Sequence, residues 1–247
     1  GGIHPTLSPE SCLEQSDIIC IGEGEGALED LVLALRDGKN YHSINNLWIR
    51  QNGNLQQNSL RPLIQDLDTV PFPAYARDSF YFIGSNKITR KDAAIVDPIL
   101  ATMPARGCPF SCSFCVNSLL RPLYRGLGPF NRRRSAANVI AEMKEILAIP
   151  GNKKEQIEFH DENFGTDELW LNDFEALYPE QIGLPFKVQY NPKLLKPELI
   201  ARLKRCGLHR IKFGIESGAD HIRNQIFKRP GKNKEILMNL RNSFRFK

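Results

Sequence analysis

Beyond residue 98 the chain alternates short apolar runs with longer amphipathic ones, and this alternation limits the fold more than any other feature. Ile99 to Met103, Gln156 to His160, Phe186 to Tyr190 and Arg210 to Ile215 read as strands. A helical pattern begins near Ser135, a good N-cap, and repeats Val139, Ile140, Met143, Ile146 and Leu147 on one face. Further helices are expected from about Glu168 to Tyr178, Pro197 to Cys206, Ala219 to Phe227 and Lys234 to Asn242, with Pro197 suited to a first turn. Strands separated by helices pair in parallel, so this part is expected to be α/β, its sheet open or closed into a barrel.

The preceding residues read differently. Asp17 to Ile21 is a short apolar strand, followed by the turn Gly22-Glu23-Gly24-Glu25-Gly26 and a helix with Leu28, Leu31, Val32 and Leu35 on one face. The alternating glycines do not make a phosphate loop: no Lys-Ser/Thr follows, and two glutamates would repel the anion. Residues 44–58 read as a hairpin turning at Asn52-Gly53. Residues 62–98, with Pro62, Pro71, Pro73 and Pro98, read as a linker ordered through Phe72, Tyr75, Phe80 and Phe82.

Three cysteines stand on the loop after the first of the four later strands, in Gly107-Cys108-Pro109-Phe110-Ser111-Cys112-Ser113-Phe114-Cys115. Three thiolates on one loop can hold three corners of a four-iron, four-sulfur cubane, leaving the fourth iron open. Zinc usually takes four Cys/His ligands, and the nearest histidine in sequence is His160. A disulfide framework belongs to short, cysteine-dense secreted chains, whereas this one has 6 cysteines in 247 residues. Clustered thiols imply a reducing, cytoplasmic setting. Cys12, Cys20 and Cys206 read as small apolar fillers.

Composition adds modest limits. Hydrophobic residues at 41% and charged residues at 25% describe an ordinary globular chain, and no apolar run approaches the roughly 18 residues of a membrane span. Part of the net charge of +5 is Arg132-Arg133-Arg134, read as a solvated loop and a weak pointer to nucleic acid.

In parallel α/β folds, ligands collect at the carboxyl ends of the strands. The cysteine loop, Asp161-Glu162-Asn163, Asn191 and Glu216-Ser217-Gly218 all fall there. Strand parity turns Ile157, Phe159, Ile211, Phe213 and Ile215 toward the helices, leaving Glu158, His160, Glu162, Gln189, Asn191, Lys212 and Glu216 inside. Such an interior either surrounds a ligand or is neutralised by Lys187 and Lys212.

With these residues in place, the chain resembles the radical S-adenosylmethionine (SAM) enzymes that carry a cobalamin-binding domain. The C-x3-C-x2-C loop with its aromatic, the segments Ile157 to Phe164 and Phe213 to Gly218, and Pro197-Glu198-Leu199-Ile200 with Gly207 are similar to that family's. The resemblance implies a partial (β/α) barrel over 99–247, a linker over 62–98, and over 1–61 the C-terminal part of a Rossmann-like cobalamin-binding domain, with both chain ends internal to a longer protein. It implies that Cys108, Cys112 and Cys115 bind a 4Fe–4S cluster, and that the amino and carboxylate groups of SAM chelate its open iron. One electron would then cleave SAM to a 5′-deoxyadenosyl radical. Glu216 and Ser217 would contact SAM, Phe114 would lie against its adenine, and Asp161 and Glu162 would approach its amino group, although the family's usual Gly-Gly-Glu is missing there. Gly1-Gly2 is similar to the step near the cobalamin tail; the Asp-x-His-x-x-Gly cobalt-ligand motif is absent, and His4 reads as an ordinary loop residue.

The implied reaction is cobalamin-dependent methylation of an unactivated carbon or phosphorus of a small-molecule substrate. A flavodoxin or ferredoxin would donate the electron, with no membrane and no nucleic acid involved, and the fragment alone is expected to be inactive. Alternatives are a radical SAM cyclase or oxidoreductase, a tRNA-modifying relative, and a non-catalytic iron–sulfur or zinc module.

Overall fold

The computed structural model describes residues 1–75, 80–84, 86–90, 95 and 97–244, in two compact units. The first comprises Gly1–Gln65 and Cys115–Phe130; the second comprises Asp66–Phe114 and Asn131–Lys247.

The first unit opens with two short helices, α1 (Ile3–Leu7) and α2 (Pro9–Leu13), followed by β1 (Ile18–Cys20) and α3 (Glu25–Arg36). β2 (Leu47–Gln51) and β3 (Asn54–Gln57) form the hairpin read from Asn52-Gly53, and β1 pairs antiparallel with β2. Both turn residues adopt the positive φ such a hairpin needs. The face assigned to α3 is corrected. Leu28, Val32 and Leu35 are 61%, 54% and 56% exposed, while Ala27 and Ala34 are buried. Ala27 and Leu31 pack with Leu47 and Ile49, because small side chains let the helix lie close on this narrow sheet. The chain returns to this unit in α4 (Val116–Leu123), a helix not anticipated, since Pro122 lies inside it.

The second unit begins with residues 66–75, held by buried Leu67, by Tyr75 against the core and by Phe72 under the Arg134 guanidinium. Phe80 and Phe82 are 40% and 41% exposed, so they do not anchor the expected linker; Phe82 lies in the hairpin of β4 (Phe82–Gly84) and β5 (Lys87–Thr89). Residues 76–79, 85, 91–94 and 96 of the expected linker lie outside the described residues.

Next come β6 (Ile99–Thr102), the ladder of β7 (Ala105–Arg106) with β8 (Arg132–Arg133), α5 (Ala136–Leu147), β9 (Gln156–Phe159), α6 (Glu168–Gln181), β10 (Phe186–Tyr190), α7 (Pro197–Arg205), β11 (Leu208–Phe213) and α8 (Asn233–Phe244). The sheet runs β11-β10-β9-β6, every pair parallel, so neighbours in sequence are neighbours in space. That winding, with helices against one face, is a partial (β/α) barrel.

Its core lies between sheet and helices. Ile157, Phe159, Phe186, Val188 and Tyr190 meet Val139, Ile140, Met143 and Ile146 of α5, Trp170, Leu171, Phe174 and Tyr178 of α6, and Ile200 and Leu203 of α7. Ser135 caps α5, its side chain accepting from the Asn138 N–H. Cys206 belongs to this core, and burial pushes its thiol up to about 11. The helix expected over 219–227 is instead a single π-helical turn, Ile222–Ile226. Within it the buried Arg223 donates Nη1 to the Ser217 carbonyl (2.6 Å) and Nη2 to the Gly231 carbonyl (2.9 Å). Among the described residues no helix is long and apolar enough to cross a membrane.

Candidate active site

The carboxyl ends of β6, β9, β10 and β11 carry the polar groups expected there, and the structure sorts them. Glu158, on the face away from the helices, bonds both Lys187 and Lys212. Burial raises its pKa, but the two lysines outweigh burial and hold the carboxyl below its ordinary value. Glu158 is therefore neutralised within the protein. The imidazole of His160 is half exposed.

One step further along, Asp161 is 2% exposed. Its Oδ1 accepts from the Ala105 N–H at 2.8 Å, while Oδ2 is buried without a hydrogen-bond partner. Burial pushes its carboxyl up to about 6, against the pull of Arg133 and the Ala105 hydrogen bond. Arg133 stacks over Trp170, donates Nη2 to the Asn163 carbonyl at 3.5 Å and leaves Nη1 buried and unpartnered. Both side chains line a cavity of about 350 Å³ with Arg106, Gly107, Glu162 and Asn163. That is within the range of small-molecule sites.

The run Arg132-Arg133-Arg134 is thus not the solvated loop that was expected. Arg132 is buried, Arg133 faces the cavity, and Arg134 pairs with Glu142 and lies over Phe72. Aromatic planes remote in sequence take up the guanidinium groups, which a local reading of charge does not register.

Cys108 and Cys112 are buried and Cys115 is half-buried. Each sulfur has an N–H donor: Asn163 Nδ2 to Cys108 (3.9 Å), Arg229 Nη1 to Cys112 (3.6 Å) and Asn117 Nδ2 to Cys115 (3.8 Å). Buried thiolates need such donors, and hydrogen bonds to sulfur are one means by which proteins tune iron–sulfur clusters, so this donor set fits a cluster ligated by cysteine. Among the described residues no three His, Cys, Asp or Glu side chains gather closely enough for one metal ion; a cubane, with one thiolate per iron, does not need them to.

The cysteine loop is latched to the segment after β11. Ser113 donates its N–H to the Phe227 carbonyl (2.9 Å) and its hydroxyl to the Ile226 carbonyl (2.7 Å). Phe114, 51% exposed, meets Phe227 edge to face. Glu216 is exposed at φ 65°, with Oε1 2.6 Å from where a Cβ on Gly214 would stand. The Ser217 hydroxyl accepts from the Ala219 N–H. Glu162 lines the cavity and accepts from Gln189 Nε2 at 3.4 Å.

In the first unit, Gly1 packs beside Cys20 at the end of β1, and the Gly2 carbonyl accepts from the Thr6 hydroxyl, which itself accepts from the Gly22 N–H. His4 lies in α1 and bonds Ser11.

Two residues with no separate role assigned from the sequence hold parts of the site together. Asn163 joins Cys108 to β10, since its Oδ1 accepts from the Asn191 N–H (3.2 Å). The sequence placed it beside Asp161 without separating their roles. Arg229 joins Cys112 to the Gly214 carbonyl (2.9 Å), and nothing local in Lys228-Arg229-Pro230 signals it.

The Radical SAM superfamily matches residues 102–246, and the chain belongs to that superfamily. It is 30% identical over 228 residues to the uncharacterized methyltransferase PH0819 of Pyrococcus horikoshii, covering 90% of this chain and 46% of the relative. Two solved structures share its fold. TsrM of Kitasatospora setae, a radical SAM methyltransferase with tryptophan and a SAM analogue bound, has a TM-score of 0.71 at 16% identity, over 99% of this chain and 47% of that one. OxsB, a cobalamin-dependent SAM radical enzyme with aqua-cobalamin and SAM bound, has a TM-score of 0.68 at 20% identity, over 98% and 34%. The chain spans about half the length of the curated relatives it matches.

Proposed function

We propose that this chain forms the cluster- and SAM-binding part of a cobalamin-dependent methyltransferase acting on an unactivated carbon or phosphorus of a small molecule. One observation carries the SAM assignment: Asp161 and Arg133 both line the cavity beside the cysteine loop, and Asp161 Oδ2 and Arg133 Nη1 are buried without a hydrogen-bond partner. The methionine end of SAM bears an amino and a carboxylate group, one with N–H donors and the other with acceptor oxygens, and would satisfy the two together. Leaving either protein group bare costs free energy that such a ligand returns on binding.

Cys108, Cys112 and Cys115 would hold a 4Fe–4S cluster, which when bound supplies the electron that opens SAM. Asp161 would orient the amino group, with Glu162 beside it in the cavity lining, and Arg133 and Arg106 would orient the carboxylate. Glu216 and Ser217 would contact the ribose, with Phe114 as apolar surface for the adenine. The first unit, with Gly1-Gly2 at the end of β1, would be the cobalamin-binding part. The electron would come from a flavodoxin- or ferredoxin-like donor. Methyl transfer rests on the similarity to PH0819 and on the shared fold with TsrM, and cobalamin rests on the fold shared with OxsB. With Arg132 buried and Arg134 paired to Glu142, the basic run no longer supports an RNA substrate.

The test is anaerobic reconstitution followed by SAM binding. About four irons per chain are expected. Arg133→Met and Glu216→Ala are expected to weaken SAM binding with the cluster spectrum intact. Full iron content in a Cys108/Cys112/Cys115 triple alanine variant would overturn the cluster assignment, and wild-type SAM affinity in both point variants would overturn the cavity assignment.

A further inference from the structure

We propose that Arg229 is a positioning residue that raises the reduction potential of the cluster held at Cys112. The inference rests on the reading of the three cysteines as cluster ligands and adds a residue with a separate role. Two of its guanidinium nitrogens and its backbone N–H are fixed. Nη1 donates to Cys112 Sγ at 3.6 Å and Nε donates to the Gly214 carbonyl at 2.9 Å. The Arg229 backbone N–H donates to the carbonyl of Arg223 (2.9 Å), a residue itself buried and bound to the Ser217 and Gly231 carbonyls. A Cβ on Gly214 would stand 2.7 Å from Arg229 Nη2, so the glycine makes room for this placement.

The charge is what separates Arg229 from the other donors at sulfur. Asn163 and Asn117 bring neutral amides to Cys108 and Cys115, whereas Arg229 brings a half-buried cation to Cys112. Among the described residues no carboxylate forms an ion pair with Arg229; Glu216 Oε1, 2.6 Å from the point where a Cβ on Gly214 would stand and which Arg229 Nη2 approaches at 2.7 Å, offsets part of its charge without bonding it, and Cys112 Sγ keeps the direct contact. A cluster ligated by thiolates gains one negative charge when a single electron arrives. A fixed cation against one of its sulfurs stabilises that reduced form more than the oxidised one, through a charge-assisted hydrogen bond. The potential therefore rises, and an external donor can load the cluster more readily.

The experiment compares the reconstituted wild type with Arg229→Met and Arg229→Lys, measuring iron and sulfide content and then the midpoint potential by a redox titration followed by electron paramagnetic resonance. All three are expected to carry the same iron and sulfide. The Met variant is expected to disfavour the reduced form about tenfold, a fall of about 59 mV for a one-electron couple. The Lys variant, keeping the charge without the fork, is expected to recover part of that fall. A Met variant with a full cluster and an unchanged potential overturns the proposal. Loss of the cluster from both variants makes Arg229 a residue of assembly and overturns it as well. A wild type that binds no iron is a different failure, of the cysteine assignment itself.

Discussion

In the second unit 21 buried residues form one continuous cluster, whereas the described residues of the first gather into two clusters of three. Phe159 alone touches the rings of Phe164, Phe174, Tyr178 and Phe186. Nothing comparable exists around Ile19 or Ile49, and α3 turns an apolar stripe to solvent. A broad parallel sheet with three helices on it buries much apolar surface, while a three-stranded antiparallel sheet under one helix buries little. The scaffold that aims the site is therefore the well-filled half, and the first unit is expected to open locally at lower cost, as hydrogen exchange reads it.

The largest effect expected from breaking this contrast is at the aromatic core. Phe159→Ala should cost about 3–5 kcal/mol, the range for truncating a buried aromatic, measured by denaturant unfolding. A loss below about 1 kcal/mol would mean that the ring cluster is not what holds the barrel.

Asp161→Asn should act in the opposite direction. The carboxyl titrates at about 6 in the folded chain against an ordinary value of 3.8, so the folded state holds the proton more tightly than the unfolded one. Stability then falls as pH rises from about 4 to about 6, and stays low above. The neutral amide escapes that loss. The variant is expected to be roughly 1–3 kcal/mol more stable than wild type at pH 8 and no more stable at pH 4, since each tenfold change in proton affinity is worth about 1.4 kcal/mol. A pH-independent difference would remove the buried ionisation from the account.

Gly22→Ala probes the first unit. Gly22 sits at φ 81°, and an added Cβ would stand 2.1 Å from the Tyr124 hydroxyl oxygen, which accepts from the Glu23 N–H at 3.0 Å. Roughly 1–2 kcal/mol is expected from the backbone alone. Amide exchange should quicken in α4 and the Gly22 turn before it does in the barrel. Uniform quickening in both units would erase the distinction between them.

The smallest effect belongs to the exposed stripe. Leu28→Glu should shift stability by less than about 0.5 kcal/mol, as surface changes do. A larger loss in a thermal melt would show that this face of α3 is covered in solution.

Much of the barrel was legible in the sequence, because its strands are apolar runs set between periodic helices. All four strands fall within two residues of where the pattern put them. The cysteines and Asp161 were legible as types at a strand end. The remainder depended on partners remote in the chain. Leu28, Val32 and Leu35 are apolar and correctly spaced, yet the narrow sheet selected the smaller stripe of Ala27 and Ala34. Residues 219–227 read as a helix, but Arg223 ties its surroundings to the Ser217 and Gly231 carbonyls. For Glu158 the sequence left two readings open, a ligand group or a partner of Lys187 and Lys212, and only the packed strands decide for the lysines.

The strand order has one more consequence, in time rather than in space. A ribosome releases this sheet in the order in which it is built, each new strand joining the edge just laid down, from β6 to β11. Cys108 and Cys112 emerge directly after β6, when the sheet is a single strand. Asn163, which bonds the Cys108 sulfur, follows β9, and Arg229, which bonds the Cys112 sulfur, follows β11. During synthesis the two thiols thus stand open to oxidants and to iron alike, and the donors that will sit against them arrive one after the other. If the cysteines carry the proposed cluster, a delivery system would find its easiest access in that interval, before β11 brings Arg229 into place.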